Sequence, residues 1–147
     1  MAKKRIMWGY MLLGRGRPEA LAQVSVMYTF NIETGRIWSD TITKGQRGRG
    51  GGQRQLVHRN RLLSTLAAGD TVVVPAAYGL GVGATDAGWF LDQLASKKVS
   101  LIIGEGALSV DPAEDRAMIL KEVKRAQNRT NVAAWAERQK DRHNGAG

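Results

Sequence analysis

The stretch that most constrains the fold of this chain is residues 69–105, GDTVVVPAAYGLGVGATDAGWFLDQLASKKVSLIIGE. Residues 71–74 are β-branched and continuously apolar, the composition of a parallel strand covered on both faces. After a glycine-rich turn, Ala87, Phe90, Leu91 and Leu94 recur at i, i+3, i+4 and i+7, giving a helix one apolar face to lay on a sheet, with Thr85 as the expected cap. Residues 99–103 are the returning strand. Two parallel strands joined by a helix cross over right-handed, so the turn at 79–84 is expected at the carboxyl edge of the sheet, where open α/β folds place their chemistry.

The flanking segments extend this unit. Residues 5–13 predict a first strand ending at Gly14, followed by the turn GRGRP and a helix over 18–30, with Ala20, Leu21, Val24, Met27 and Tyr28 as its apolar stripe. Residues 36–43 read as a second strand. Residues 55–68 read as a helix with Leu56, Leu62, Leu63 and Leu66 inward, stopped by Gly69. Residues 104–110 read as a loop or a short edge strand. Asp111 caps, Pro112 opens, and Glu114 and Asp115 line the first turn of a long helix reaching about Lys140, with a candidate break at 128–131 and a frayed GAG terminus. Of the four tryptophans, Trp8, Trp38 and Trp89 are expected in the core and Trp135 at an interface. The expected fold is α/β: a three-layer open, mostly parallel sheet of four to five strands, helices on both faces, and a long C-terminal helix.

Composition matters mainly through charge. The chain has 147 residues and a net charge of +9, and the charge is segregated. Residues 1–18 hold Lys3, Lys4, Arg5, Arg15 and Arg17 with no acid; residues 42–61 hold Lys44, Arg47, Arg49, Arg54, Arg59 and Arg61, again with none. Acid-free basic blocks create a local positive potential whose usual partner is nucleic-acid phosphate, although solubility alone is the plainer explanation. Within the second block, KGQRGRGGGQR has glycine at five of eleven positions, which predicts a mobile loop whose arginines can follow a phosphate backbone, or else a solubilising linker. The absence of cysteine excludes disulfides and thiolate chemistry, and two histidines in basic surroundings make a metal centre unexpected. Neither a membrane span nor a signal peptide is expected, and a cytoplasmic location, bacterial or phage-associated, is the default.

The order of these elements resembles the catalytic domain of serine recombinases, the resolvases and invertases, across residues 5–140. That family opens with a strand ending Tyr-x-Arg-Val-Ser, whose serine is the nucleophile; the corresponding run here is Tyr10-Met11-Leu12-Leu13-Gly14. The tyrosine remains, but Leu12 replaces the arginine and Gly14 the serine. The family's Gly-Asp, apolar strand and Asp-Arg-Leu-Gly-Arg-Ser correspond to Gly69-Asp70, residues 71–74, and Tyr78-Gly79-Leu80-Gly81-Val82-Gly83. Leu80 and Gly81 persist, whereas Tyr78, Gly79, Val82 and Gly83 replace the acid, both arginines and the serine. Asp40 and the basic loop after it are similar to the family's second strand and DNA-facing loop.

The resemblance implies a resolvase-like α/β domain over 1–110, followed over 111–147 by a long helix that mediates homodimerisation. The substitutions imply that no catalytic residue survives. Removing an electrostatic donor from a phosphoryl-transfer site typically costs orders of magnitude in rate, and here the nucleophile and the donors are missing together. The expectation is therefore a pseudoenzyme that needs no cofactor. It would bind duplex DNA with little sequence preference through Arg15, Arg17, Lys44, Arg47, Arg49 and Arg54, as a regulatory or accessory factor. Two alternatives stay open. The module could bind a protein partner instead. Residues 79–84 also fit G-x-G-x-x-A, with Glu105 placed 21 residues after Ala84, as in a dinucleotide-binding fingerprint, although the lead from Val74 to Gly79 is too long for that tight turn.

Overall fold

The computed structural model describes residues 5–14, 16–42, 55–104 and 107–145, and side chains as far as residue 140. Its five strands are β1 (Met7–Gly14), β2 (Ile37–Ile42), β3 (Thr71–Val74), β4 (Ser100–Ile103) and β5 (Leu108–Val110), in sheet order β2-β1-β3-β4-β5. The first four pair in parallel and β5 runs antiparallel along the edge. Four helices are described: α1 (Ala20–Thr29), α2 (Val57–Thr65), α3 (Ala84–Ser96) and α4 (Arg116–Gly145). This is the three-layer α/β architecture expected from the sequence.

Strand alternation sorts the core onto two faces. Trp8, Tyr10 and Leu12 of β1, Val72 and Val74 of β3, and Leu101 and Ile103 of β4 meet α2, α3 and α4 on one face. Met7, Met11, Val73 and Ile102 meet α1 on the other, where Met27 is fully buried. Ala87, Phe90, Leu91 and Leu94 are all fully buried, so the α3 periodicity is realised. Trp8 and Trp38 pack against the core with ring centroids 6.5 Å apart, and Trp89 joins them, whereas Trp135 stays 57% exposed.

Three local expectations are corrected. In α1 the inward face is Gln23 and Met27, while Leu21 and Tyr28 are 80% and 54% exposed. The amide of buried Gln23 donates to the carbonyls of Leu12 and Pro18, and this sets the helix rotation. Leu21 and Tyr28 then fall about 140–160° around the helix from Gln23. Thr85 does not cap α3, because the helix begins at Ala84 with Gly83 as its extended N-cap. Asp86 acts instead, its carboxylate accepting the Val82 amide at 2.9 Å.

The third correction is that α4 runs unbroken through residues 128–131. Its start also differs from expectation: Asp111 caps the turn over 112–115, accepting the amides of Ala113 at 2.8 Å and Glu114 at 3.0 Å, while the α-helix itself begins at Arg116 with no acid in its first turn. Those bonds hold the Asp111 carboxyl below the ordinary aspartate range. Asn and Thr are weak helix formers, but Thr130 donates to the carbonyl of Ala126 and sits against Gly16, so tertiary contact carries the helix past them. Among the described residues no helix is long and apolar enough to cross a membrane.

Candidate functional site

The right-handed crossovers bring the turns after β1 and β3 to one carboxyl edge. Arg17 ties them together. Its own amide donates to the carbonyl of Gly14 at 3.1 Å. Its guanidinium donates to the carbonyls of Gly81 at 2.9 Å and Tyr78 at 3.4 Å and lies 3.7 Å above the Tyr78 ring centroid. Burial lowers the Arg17 pKa from its ordinary value, with Tyr78 and Tyr10 opposing. β2 ends at Ile42 beside Gly14, at the same edge.

The six positions singled out in the sequence converge here, and their environments differ. Leu12 is fully buried in the core beneath the edge. Gly14 has φ +121°, and a Cβ built there would lie 2.7 Å from the Ile42 carbonyl oxygen and 3.2 Å from its nitrogen. That backbone region is open to glycine and strained for any other residue. Tyr78 and Gly79 are buried in the 3-10 turn Ala77–Leu80, and Val82 packs against the core. Gly83 is followed by α3 and faces the Gln127 side chain of α4 at 3.5 Å from an ideal Cβ. The edge thus presents glycines, a core-packed valine and a tyrosine capped by Arg17. Of the candidate phosphate-binding residues, Arg17 points inward onto this turn, while Arg15, Lys44, Arg47, Arg49 and Arg54 lie outside the described residues.

Directly behind the turn is a buried polar network. Arg59 is fully buried, and its guanidinium forks onto Asp86 with bonds of 2.7 and 2.9 Å and donates to the Leu80 carbonyl at 3.0 Å. The same cation lies 5.1 Å from the Phe90 ring centroid and 5.2 Å from that of Trp89, within reach of both faces. Asp40 of β2 accepts the α2 amides of His58 at 3.1 Å and Arg59 at 2.8 Å, capping that helix from a different element, and accepts the Tyr10 hydroxyl at 2.9 Å. Burial, and then the Asp40 carboxylate beside it, push the Tyr10 phenol far above its ordinary 10.0.

This network also bears on the glycine fingerprint. A Cβ at Gly81 would lie 2.6 Å from a carboxylate oxygen of Asp86, so this glycine admits an internal carboxylate rather than a ligand's pyrophosphate. The anion that the α3 N-terminus holds is Asp86, already paired to Arg59. Glu105 lies outside the described residues. The Arg59–Asp86 pair escaped the sequence reading, although a signal existed. Arg59 stands three residues after Leu56 and three and four before Leu62 and Leu63, on the apolar face of its own helix.

No family model matches this sequence, and no match is found among curated proteins. Solved structures do match it. A resolvase family site-specific recombinase from Streptococcus pneumoniae superposes with TM-score 0.49 and 18% identity over 97% of this chain and 94% of that one. The N-terminal catalytic domain of TP901-1 integrase gives TM-score 0.52 and 14% identity over 92% of this chain and 98% of that one. At such identity the likeness concerns architecture and not residue roles. The five-stranded, mostly parallel sheet and the long final helix thus share the fold of that integrase catalytic domain.

Proposed function

We propose that this chain is a DNA-binding accessory protein built on a serine recombinase fold, without strand-cleaving activity, and that it self-associates through α4. The observation that carries the loss of cleavage is Gly14. The strand end where the fold would present a nucleophile has φ +121°, and a Cβ there would be pressed against the Ile42 backbone. Arg17, the described arginine nearest that point in sequence, bonds to the carbonyls of Tyr78 and Gly81. Among the described residues of this edge, a transferring phosphoryl group would meet neither an attacking side chain nor an array of aimed cations. Substituting Gly14→Ser adds a hydroxyl on a strained backbone and is expected not to create activity.

DNA binding is supported by charge. The sequence over 42–61 is basic and free of acid, and α4 adds exposed Lys121, Lys124, Arg129, Arg138 and Lys140. Contacts from Arg15, Lys44, Arg47, Arg49 and Arg54 to about five phosphates would lower affinity by roughly several hundredfold between low and moderate salt. Titrating duplex DNA across salt concentrations tests this. Replacing Arg47, Arg49 and Arg54 by alanine should flatten the slope, and an unchanged slope would assign the charge to solubility. A covalent protein–DNA adduct on a denaturing gel would overturn the inactive reading. One observation favours protein binding as a second reading: Val132 and Trp135 of α4 are 64% and 57% exposed. Against a dinucleotide site stands the Asp86 carboxylate already seated at the α3 N-terminus.

A further inference from the structure

At the amino edge of the sheet, the end away from the glycine turns, a cavity of about 550 Å³ opens between the C-terminus of α3 and the turn that follows β5. Its volume lies in the range of small-molecule sites. Val99 and Val110, 2% and 6% exposed, give it an apolar side. Lys98, Ser100, Ser109 and Asp111, all of them exposed, give it a polar one. Register brings these residues together. The last pair of the ladder between β4 and β5 is Leu101 with Val110, so Asp111 leaves the sheet beside Ser100.

Lys98 marks the cavity out. α3 ends in a Schellman turn, the amide of Lys98 donating to the Ala95 carbonyl at 3.1 Å and that of Val99 to the Leu94 carbonyl at 3.0 Å. Such a turn puts the residue after the helix cap in the left-handed region, where glycine is the usual occupant. Here lysine holds that place, at φ +59°. A strained backbone kept beside a cavity points to a side chain that is used there. Asp111 supplies the opposite charge. One of its carboxylate oxygens accepts the amides of Ala113 and Glu114, and no hydrogen bond among the described residues takes up the other. None of the ion pairs among the described residues includes Lys98 or Asp111, so one cation and one anion line the same cavity without closing on each other.

We infer that this cavity binds a small zwitterion, a short peptide with free termini, its carboxylate on Lys98, its ammonium on the open oxygen of Asp111 and its side chains over Val99 and Val110. Charge balance selects this class. A free phosphate would gain from Lys98 and be repelled by Asp111, and a simple amine would meet the reverse, whereas a molecule carrying both charges satisfies both groups. The hydroxyls of Ser100 and Ser109 supply donors and acceptors for the peptide group between the termini. The site is separate from the carboxyl edge and requires neither DNA nor self-association.

Titration of the isotope-labelled full chain with the dipeptide alanyl-leucine, followed by amide chemical shifts, tests this beside its N-acetylated form, its C-terminal amide and inorganic phosphate. The expected result is binding in about the millimolar range, with shifts centred on residues 98–100 and 109–113, and a loss of about tenfold or more when either end is blocked. Lys98→Gly removes the ammonium and relieves the left-handed strain, so it should weaken binding by about tenfold or more with a melting temperature no lower than the parent's. Asp111→Asn keeps the cap and loses the charge, so it should bind the dipeptide as weakly as the parent binds the N-acetylated form. Parental affinity in Lys98→Gly, equal binding of the blocked forms, tighter binding of phosphate than of the dipeptide, or no shift at about 10 mM dipeptide would each overturn the proposal.

Discussion

Arg59 shows how a single buried charge can set the form of the sheet's carboxyl edge. Its fork onto Asp86 and its bond to the Leu80 carbonyl fix the 3-10 turn from beneath, while Arg17 grips the same turn from outside. Removing one partner of such a pair leaves the other uncompensated, so Asp86→Ala should destabilise the fold by about 3–5 kcal/mol, measured by urea unfolding. The double variant Arg59→Met with Asp86→Leu should lose less than either single, because no charge is then buried alone; a loss equal to the sum of the singles would refute that account. Tyr10 adds a pH dependence. Its folded pKa lies above the unfolded 10.0, so the folded state holds the proton more tightly. Its contribution is complete below about pH 10 and falls as pH rises further. Tyr10→Phe should therefore be somewhat less stable at neutral pH, by about 1 kcal/mol, yet lose less stability than the parent on going from pH 9 to pH 11.

Elements here owe their limits to one another as much as to their own residues. α2 has no side-chain cap in its own sequence and takes one from Asp40 of β2, and α4 crosses its weak segment because Thr130 is packed against Gly16. The second case is testable. Gly16 has φ +78°, and a Cβ there would come 2.5 Å from Oγ1 and 2.7 Å from Cγ2 of Thr130. Gly16→Ala should cost about 1–3 kcal/mol, from a strained backbone and from displacing α4. Adding Thr130→Ala relieves the second part alone, so thermal unfolding of the double variant should recover some of the loss. Full recovery would mean that the positive φ carries no strain; none would mean that α4 is not seated there.

For the molecule as a whole, the side chains of α4 that pack against the domain end at about Thr130, and the remainder projects with Val132 and Trp135 exposed. Truncation after Asn131 should leave a folded monomer with a melting temperature within a few degrees of the parent and weaker DNA binding, since paired basic surfaces act together. Global unfolding of the truncated chain would show that the distal half covers its own domain. Much of this architecture was readable in the sequence. Short apolar β-branched runs, helical periodicity and glycine punctuation are local properties, so the strand order of types, the α3 face and the Asp111 cap follow from neighbours within a turn or two. The convergence of Gly14 with residues 78–83 followed from the handedness of the crossover together with a family resemblance. What required the tertiary structure was every decision made between residues distant in the chain: the rotation of α1 by Gln23, the capping of α2 by Asp40, and the closing of Arg59 on Asp86 across 27 residues. Hydrogen bonds and ion pairs of that kind have no period, and a charged residue on an apolar helix face declares its burial only when the opposite charge has been brought to meet it.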